Sequence, residues 1–353
     1  MEKIKVAVIG CGTIANDAHI PSYMKNTEGG EIKYFCDIIP ERAQKAVEKY
    51  GVGTAVTDYH DILSDPEITA VSVCTPNNVH KQISIDFLRA GKNVLCEKPA
   101  SRTFDEVLEM QKVQHETGKV LNIGVVNRFN TAVNKIKDLI DAGELGEVYH
   151  VYASFRSPRS IPGLGGAFTN RDIAGGGVLI DWGVHFLDLV MYCCGDPQPK
   201  TVSGKGYSKL GVNMKDYTYI SMWSREPDYD GVYNVEDFIT GFIRTEGPTI
   251  TLNGAWAQNI FIPEMYVDFI GDKAGIRLQY GEKFKLYTTK NGMLVEEIPD
   301  FVLGNAFQNE INAFLRCIKT GEKLPSHIDT VAITAKMMQA LYDSSESGKE
   351  IAF

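Results

Sequence analysis

The sequence predicts an α/β domain built on a parallel sheet, followed by an α+β domain with a large open, mostly antiparallel sheet. Three observations carry this. Short β-branched runs alternate with longer amphipathic ones through the first third of the chain, as parallel strands with crossover helices require. A glycine-rich turn, Gly10-Cys11-Gly12-Thr13-Ile14-Ala15, joins the first strand to the first helix. Beyond about residue 130 the texture changes to longer alternating segments, the pattern of strands with one face buried. At 353 residues the chain exceeds the usual size of one domain, so two are expected, 1–125 and 126–353.

In chain order, strands are expected at 5–10, 31–36, 70–74, 93–96 and 120–124, each a short apolar run ended by turn residues. Helical periodicity marks 40–50, 79–90 and 104–116 between them. Gly91 and Gly118 stand where the latter two helices stop, because glycine takes a left-handed conformation at little cost. Later strands are expected at 148–155, 238–245, 249–256, 265–270 and 276–280, with hairpin turns at Glu246-Gly247-Pro248 and Gly271-Asp272-Lys273. Two helices close the chain, 306–319 and 329–344.

A hydrophobic fraction of 44% with 23% charged residues fits a folded globular protein rather than a disordered one. The net charge of −9, without a Lys/Arg cluster, argues against nucleic acid or another polyanion as partner. The seven cysteines form no C-x-x-C pair, and four end apolar strand-like runs, so a reducing compartment, the cytoplasm, is expected. Cys193-Cys194 leaves a redox pair open beside core packing. The first apolar run is too short for a signal peptide, and no segment is read as reaching membrane-spanning length, so no membrane partner is expected. The histidines show no ligand spacing, so no metal is expected.

The glycine turn follows an apolar strand and opens a helix, the context in which G-x-G-x-x-A has meaning. Gly10 allows the tight turn, Gly12 lets a pyrophosphate approach the backbone, and the helix start offers free N–H groups to it. Asp37, ending the second strand, lies where a carboxylate receives the adenosine ribose 2'-hydroxyl and repels a 2'-phosphate, so NAD is expected over NADP. Thr75 and Asn77, in Thr75-Pro76-Asn77-Asn78-Val79-His80, lie at the carboxyl edge of the sheet. Cofactor contact and helix capping are both open for Asn77.

The fifth strand ends in Cys96-Glu97-Lys98-Pro99-Ala100. A lysine set beside a nicotinamide would hold a substrate hydroxyl and stabilise the oxyanion that develops as hydride leaves. Residues 175–188 read Gly-Gly-Gly-Val-Leu-Ile-Asp-Trp-Gly-Val-His-Phe-Leu-Asp. In a helix after the glycines, Asp181, His185 and Asp188 share one face, an acid and a base together. The glycines let the helix start approach a ligand or another backbone closely. A buried amphipathic helix with a satisfied histidine is the other reading of the same residues.

The ordered set of G-x-G-x-x-A, strand-end Asp, T-P-N-x-x-H, E-K-P and G-G-G-x-x-x-D-x-G-x-H-x-x-D resembles the Gfo/Idh/MocA family, named for glucose-fructose oxidoreductase, inositol dehydrogenase and rhizopine catabolism. The resemblance runs over essentially the whole chain, including Gly-Val-Val-Asn-Arg-Phe at 124–129. It implies a Rossmann domain, and Lys98 as the E-K-P lysine that binds the reacting hydroxyl, with a cis Lys98-Pro99 bond. It implies that Asp181 holds sugar hydroxyls and orients the base, and that His185 abstracts the alcohol proton. Cofactor contacts are then expected from Gly10, Gly12, Thr13, Ile14, Asp37, Thr75, Asn77, His80, Glu97 and Lys98. Substrate contacts are expected from Lys98, Asn127, Arg128, Asp181 and His185, and a homodimer or homotetramer through the C-terminal sheet.

The segment 156–169, rich in Arg, Pro and Gly, leads into the glycine triplet and is expected to edge the substrate pocket. Arg156 and Arg159 would clamp sugar hydroxyls or a phosphate, or else cap carbonyls or bridge subunits. Tyr152, Trp182, Trp256 and Tyr266 are aromatics for stacking on a sugar or for the core. The leading expectation is an NAD-dependent dehydrogenase moving a hydride between nicotinamide and a secondary hydroxyl of a pyranose, glycoside or cyclitol. An enzyme that oxidises a sugar transiently to eliminate its glycosidic bond, with no net NADH, is one alternative. A non-catalytic NAD/sugar sensor is the other, and it would need none of Lys98, Asp181 and His185.

Overall fold

The computed structural model describes residues 3–220, 224 and 226–353. The chain forms two compact units: one runs up to Phe129 and takes back Asn305–Ala332, the other comprises Asn130–Gly304 and Ile333–Phe353.

The first unit begins β1 (Ile4–Ile9), α1 (Ile20–Met24), β2 (Gly30–Cys36), α2 (Pro40–Tyr50), β3 (Thr54–Val56), α3 (His60–Leu63), β4 (Ile68–Val73), α4 (Asn77–Arg89), β5 (Asn93–Glu97), α5 (Phe104–Thr117) and β6 (Leu121–Gly124). Its sheet is parallel throughout, in the order β3-β2-β1-β4-β5-β6. Strand order reverses where β1 meets β4, and ligands bind open α/β sheets beyond the carboxyl ends of the strands at such a switch. Gly10 and Cys74 follow directly from those two strands. β3 is a three-residue edge strand, too short to show a period in the sequence.

The second unit continues with α6 (Thr131–Asp141), β7 (Val148–Arg156), α7 (Arg171–Ala174), α8 (Val184–Cys193), β8 (Pro199–Tyr207), β9 (Phe238–Thr245), β10 (Thr249–Ala255), β11 (Glu264–Gly271), β12 (Ala274–Gln279), β13 (Phe284–Lys290) and β14 (Met293–Glu297). The chain then closes with α9 (Ala306–Thr320), α10 (Ile328–Ser347) and β15 (Ile351–Ala352). Nine strands make one sheet, β14-β13-β12-β11-β7-β10-β9-β8-β15, antiparallel except where β7 and β10 run together. Val151, Ala153 and Phe155 alternate onto its buried face, and the Phe155 ring lies 5.0 Å from Phe186 of α8. β8, β13 and β14 are strands beyond those expected, because polar residues break their apolar runs.

Two differences from the expected organisation have physical causes. The N-terminal unit ends at Phe129 rather than 125, and α9, expected in the second domain, folds back into the first. There its apolar stripe of Ile311, Phe314 and Leu315 joins the cluster of Ile4, Ile20, Tyr23 and Ile32. The helical stretch Arg171–Cys193, 23 residues of hydropathy 1.4, is long and apolar enough to cross a membrane by composition, which corrects the expectation that no segment reaches that length. Most of it is buried in the protein, against the sheet of the second unit.

Candidate active site

In the first unit, Gly10 adopts φ +90°, and a Cβ there would stand 2.5 Å from the Cys74 carbonyl oxygen. Nothing lies within 4 Å of where a Cβ on Gly12 would be, so its backbone faces open space a pyrophosphate can enter. Thr13 and Ile14 begin the helical stretch after it, which widens into a π turn at Ala15–His19 before α1. Asp37 is buried and ties this turn to β2: Oδ2 accepts the Cys11 N–H at 2.9 Å and Oδ1 the Ile39 N–H at 2.9 Å. Its remaining lone pairs suit a ribose hydroxyl. Beside it Ile38 is 87% exposed, an apolar surface absent from the expected contacts; a lone aliphatic between Asp37 and the next helix is the signal that could have found it. The Thr75 hydroxyl is buried without a hydrogen-bond partner among the described residues. Asn77 does not cap α4, whose N-cap is Pro76 without a side-chain bond. These residues fit NAD, which when bound accepts a hydride.

Lys98 is the one residue from Val94 to Ser101 that is not buried, and its bond to Pro99 is cis. Two of its expected companions direct their side chains into the unit. Glu97 is buried, with Oε1 2.7 Å from His19 Nε2 and Oε2 accepting the Lys98 N–H at 3.1 Å. Gly124 leaves room for this carboxylate, 3.0 Å from where its Cβ would stand. Burial would raise the Glu97 carboxyl, but His19 and Lys98 hold it below the ordinary value. Behind it lie Ser72, 3.3 Å from His19 Nδ1, and Tyr23, 2.8 Å from Ser72 Oγ. His80 is also fully buried, with both ring nitrogens on backbone carbonyl oxygens. Both thus spend the polar atoms of their side chains inside the unit.

Arg128, expected to meet substrate, is buried on the turn Val126–Phe129 and donates from Nη1 to the Pro325 carbonyl at 3.1 Å. It anchors the returning segment instead. Asn127 is buried on the same turn.

In the second unit the glycine triplet is explained by close backbone approach. A Cβ on Gly177 would stand 2.0 Å from the Glu236 carbonyl oxygen, and one on Gly176 would stand 2.0 Å from the Tyr342 hydroxyl. Glu236 also caps the helical turn after the triplet: its carboxylate accepts the N–H of Gly177 at 2.9 Å, that of Leu179 at 3.0 Å, and the Tyr342 O–H at 2.9 Å. Burial still pushes this carboxyl above its ordinary value. Glu236 is not among the residues expected at the site, and nothing local links it to glycines so far upstream.

Leu179–Gly183 forms a π turn that runs into α8. Asp181, inside it, is buried and accepts a hydrogen bond from Trp256 Nε1 at 3.2 Å. His185 lies in the first turn of α8, where only it and Tyr192 are not buried. Asp188, the third residue of the expected face, is buried and accepts from Thr334 Oγ1 at 3.2 Å, a structural tie to α10. A fixed carboxylate thus stands four positions before a partly exposed imidazole, an arrangement suited to orienting a ligand and accepting a proton.

The two pocket arginines are engaged elsewhere. Arg156 follows Phe155 and so points to the outer sheet face, where its guanidinium pairs with Glu264 directly across on β11. Arg159 donates from Nη1 to the Gln258 carbonyl at 2.8 Å and from Nη2 to Asn259 Oδ1 at 2.7 Å, the carbonyl-capping alternative. Pro158 and Arg159 do line an open cleft of about 530 Å³ with Thr218, Asn259, Ile260 and Phe261. Trp256 is wholly buried, Trp182 packs on the core, and Tyr152 and Tyr266 lie on the outer face beside Arg156. No cluster of His, Cys, Asp and Glu suited to a metal ion occurs among the described residues.

Comparison with known proteins agrees with this geometry. Residues 4–125 match the oxidoreductase family with an NAD-binding Rossmann fold, and residues 133–277 match the GFO/IDH/MocA C-terminal domain. The chain is 32% identical to D-glucoside 3-dehydrogenase of Escherichia coli K12 over 354 aligned residues, 99% of this chain and 97% of the relative. It is 29% identical to inositol 2-dehydrogenase of Salmonella typhimurium LT2 over 161 residues, 45% of this chain and 48% of the relative. The fold is that of aldose-aldose oxidoreductase from Caulobacter crescentus, at TM-score 0.84, 22% identity and full coverage of both chains. It is equally that of levoglucosan dehydrogenase in complex with NADH and levoglucosan, at TM-score 0.86, 20% identity and 99% coverage of both.

Proposed function

This chain belongs to the Gfo/Idh/MocA oxidoreductase family, and from that premise we propose that it is an NAD-dependent dehydrogenase of a pyranose, glycoside or cyclitol. Lys98 holds the reacting secondary hydroxyl and stabilises the charge that develops on its oxygen. Asp181, steadied by Trp256, binds neighbouring hydroxyls and orients the base, and His185 takes the alcohol proton. NAD accepts the hydride. The observation that carries the reading is His185 itself, a partly exposed imidazole on a mostly buried apolar helix, one turn beyond a fixed carboxylate. The Asp37 carboxylate favours NAD over NADP by repelling a 2'-phosphate. Similarity to D-glucoside 3-dehydrogenase over nearly its full length makes D-glucosides the first substrates to try. Copies of the chain would meet through the outer sheet face, which carries Tyr152, Phe242 and Tyr266. Seven free cysteines favour a reducing compartment.

The test is incubation with NAD and a panel of free sugars, inositols and hexopyranosides, read by NADH absorbance and product mass. The expected product is a keto-sugar, lighter by two hydrogens, with its glycosidic bond intact. Deuterium from the oxidised carbon should appear on one face of nicotinamide C4. Free sugar plus aglycone without net NADH would favour the redox-assisted glycosidase, and binding without any transfer would favour the sensor.

A further inference from the structure

The peptide on each side of Lys98 is held by a buried histidine from another element. On the amino side, Glu97 meets the His19 ring and returns an oxygen to the Lys98 N–H. On the carboxyl side, His80 reaches from the first turns of α4. Its Nδ1 lies 2.8 Å from the Pro99 carbonyl oxygen and its Nε2 lies 2.8 Å from the Thr75 carbonyl oxygen. A carbonyl oxygen only accepts, and a neutral imidazole has a single N–H to give. Both bonds are made only when the ring carries both protons. A neutral ring would set lone pair against lone pair in a place closed to water.

We propose that His80 is a positioning residue: held as an imidazolium between the Thr75 and Pro99 carbonyl oxygens, it locks the end of β4 to the turn after β5 and so fixes Lys98. The role rests on the catalytic assignment of Lys98. The two tethered segments are those from which the cofactor contact Thr75 and the hydroxyl-binding Lys98 project, so one ring sets their spacing. A cation in the first turns of a helix works against the helix dipole, and the two carbonyl partners offset that cost. Burial alone would push the ring down, but Cys96 beside it, when ionised, and the two carbonyls push it up, from 6.5 to about 9. Cys96, on β5, is a titratable group set against the ring.

The experiment is nitrogen-resolved NMR of the full-length protein labelled in its histidine rings, with His80 assigned from its variants. At about pH 8, where an ordinary histidine of pKa about 6.5 is neutral, His80 should keep two protonated nitrogens. His80→Asn retains a donor near Nδ1, toward Pro99, whereas His80→Gln retains one near Nε2, toward Thr75. The glutamine variant should lose kcat by roughly 10- to 100-fold, the effect of a misplaced reacting group, with NAD Kd unchanged, and the asparagine variant should lose less. A singly protonated ring, or wild-type kcat in both variants, overturns the proposal. The ring measurement on the wild-type protein decides even where a variant fails to fold. Wild-type turnover in Lys98→Ala overturns the catalytic reading and the positioning role with it, whereas a singly protonated ring overturns the positioning role alone.

Discussion

Lys98 and His185 are held in place by opposite means. Lys98 stands at a strand end among buried ionisable groups, with His19 and His80 bonded to its chain neighbours Glu97 and Pro99 and Glu97 accepting its own N–H. His185 stands on a helix packed in hydrocarbon, whose start is fastened by Glu236, Tyr342 and Trp256 from remote segments. Damage around the lysine should therefore show in protonation and turnover. Damage around the histidine should show first in stability.

The largest effects test whether the two residues are equal in chemistry despite this difference. Lys98→Ala and His185→Ala should each lower kcat by about 10²- to 10⁴-fold, the usual worth of a charge-stabilising or proton-transferring group. NAD affinity, measured by fluorescence titration, should change little. Wild-type turnover in either variant removes that residue from the reaction.

Next comes a change confined to the first unit. Asp37→Ser combined with Ile38→Arg should move the kcat/KM preference toward NADP by roughly 10- to 100-fold, the worth of one charge-assisted hydrogen bond. The melting temperature should fall by a few degrees, through the Cys11 and Ile39 N–H bonds that Asp37 gives up and not through exposed Ile38. A wild-type enzyme that already prefers NADP would contradict the reading of Asp37.

In the second unit, Glu236→Gln keeps one acceptor oxygen but turns an amide N–H₂ toward a backbone donor. A cost of about 1 to 3 kcal/mol is expected, which is a fall of several degrees in Tm, with kcat less affected than in the first pair. A variant with unchanged Tm but lost turnover would make Glu236 part of the chemistry rather than of the scaffold.

The smallest effect concerns Glu310, fully buried near Glu97, with neither oxygen hydrogen-bonded among the described residues. Burial, then the Glu97 charge, raises its carboxyl well above the ordinary value. The folded protein holds a proton there that the unfolded chain releases above about pH 4.3. Stability from this group is thus present below that pH and is lost as pH rises toward the raised folded value. Glu310→Met should raise Tm more at pH 8 than at pH 4.5, and a gap independent of pH would show that Glu310 is charged in the fold.

What was legible in the sequence divides along the same line. The glycine turn, Asp37 and the strand-end lysine could be read because the local order strand, turn, helix dictates where each projects. The inward turn of Glu97 and His80 could not, since a motif names residue types and not directions. Arg156 could have been placed: strand alternation puts it opposite Phe155, whose ring faces the core. α9 shows an amphipathic stripe, which says that it packs but not against which unit. Glu236 meets Gly177 only because the chain between them folds back, and no local pattern records that.

A turn that closes five residues apart takes up one residue more than an α turn, while the chain beyond it returns to nearly the same heading. Leu179–Gly183 is such a turn, and it acts as a length adjuster. Chain can be added or removed there while α8 keeps its seat on the sheet. Loss of Gly183 would change the separation of Asp181 and His185 from i, i+4 to i, i+3 without unseating the helix that carries the imidazole. The distance between acid and base can thus drift over evolutionary time separately from the packing that keeps the domain folded.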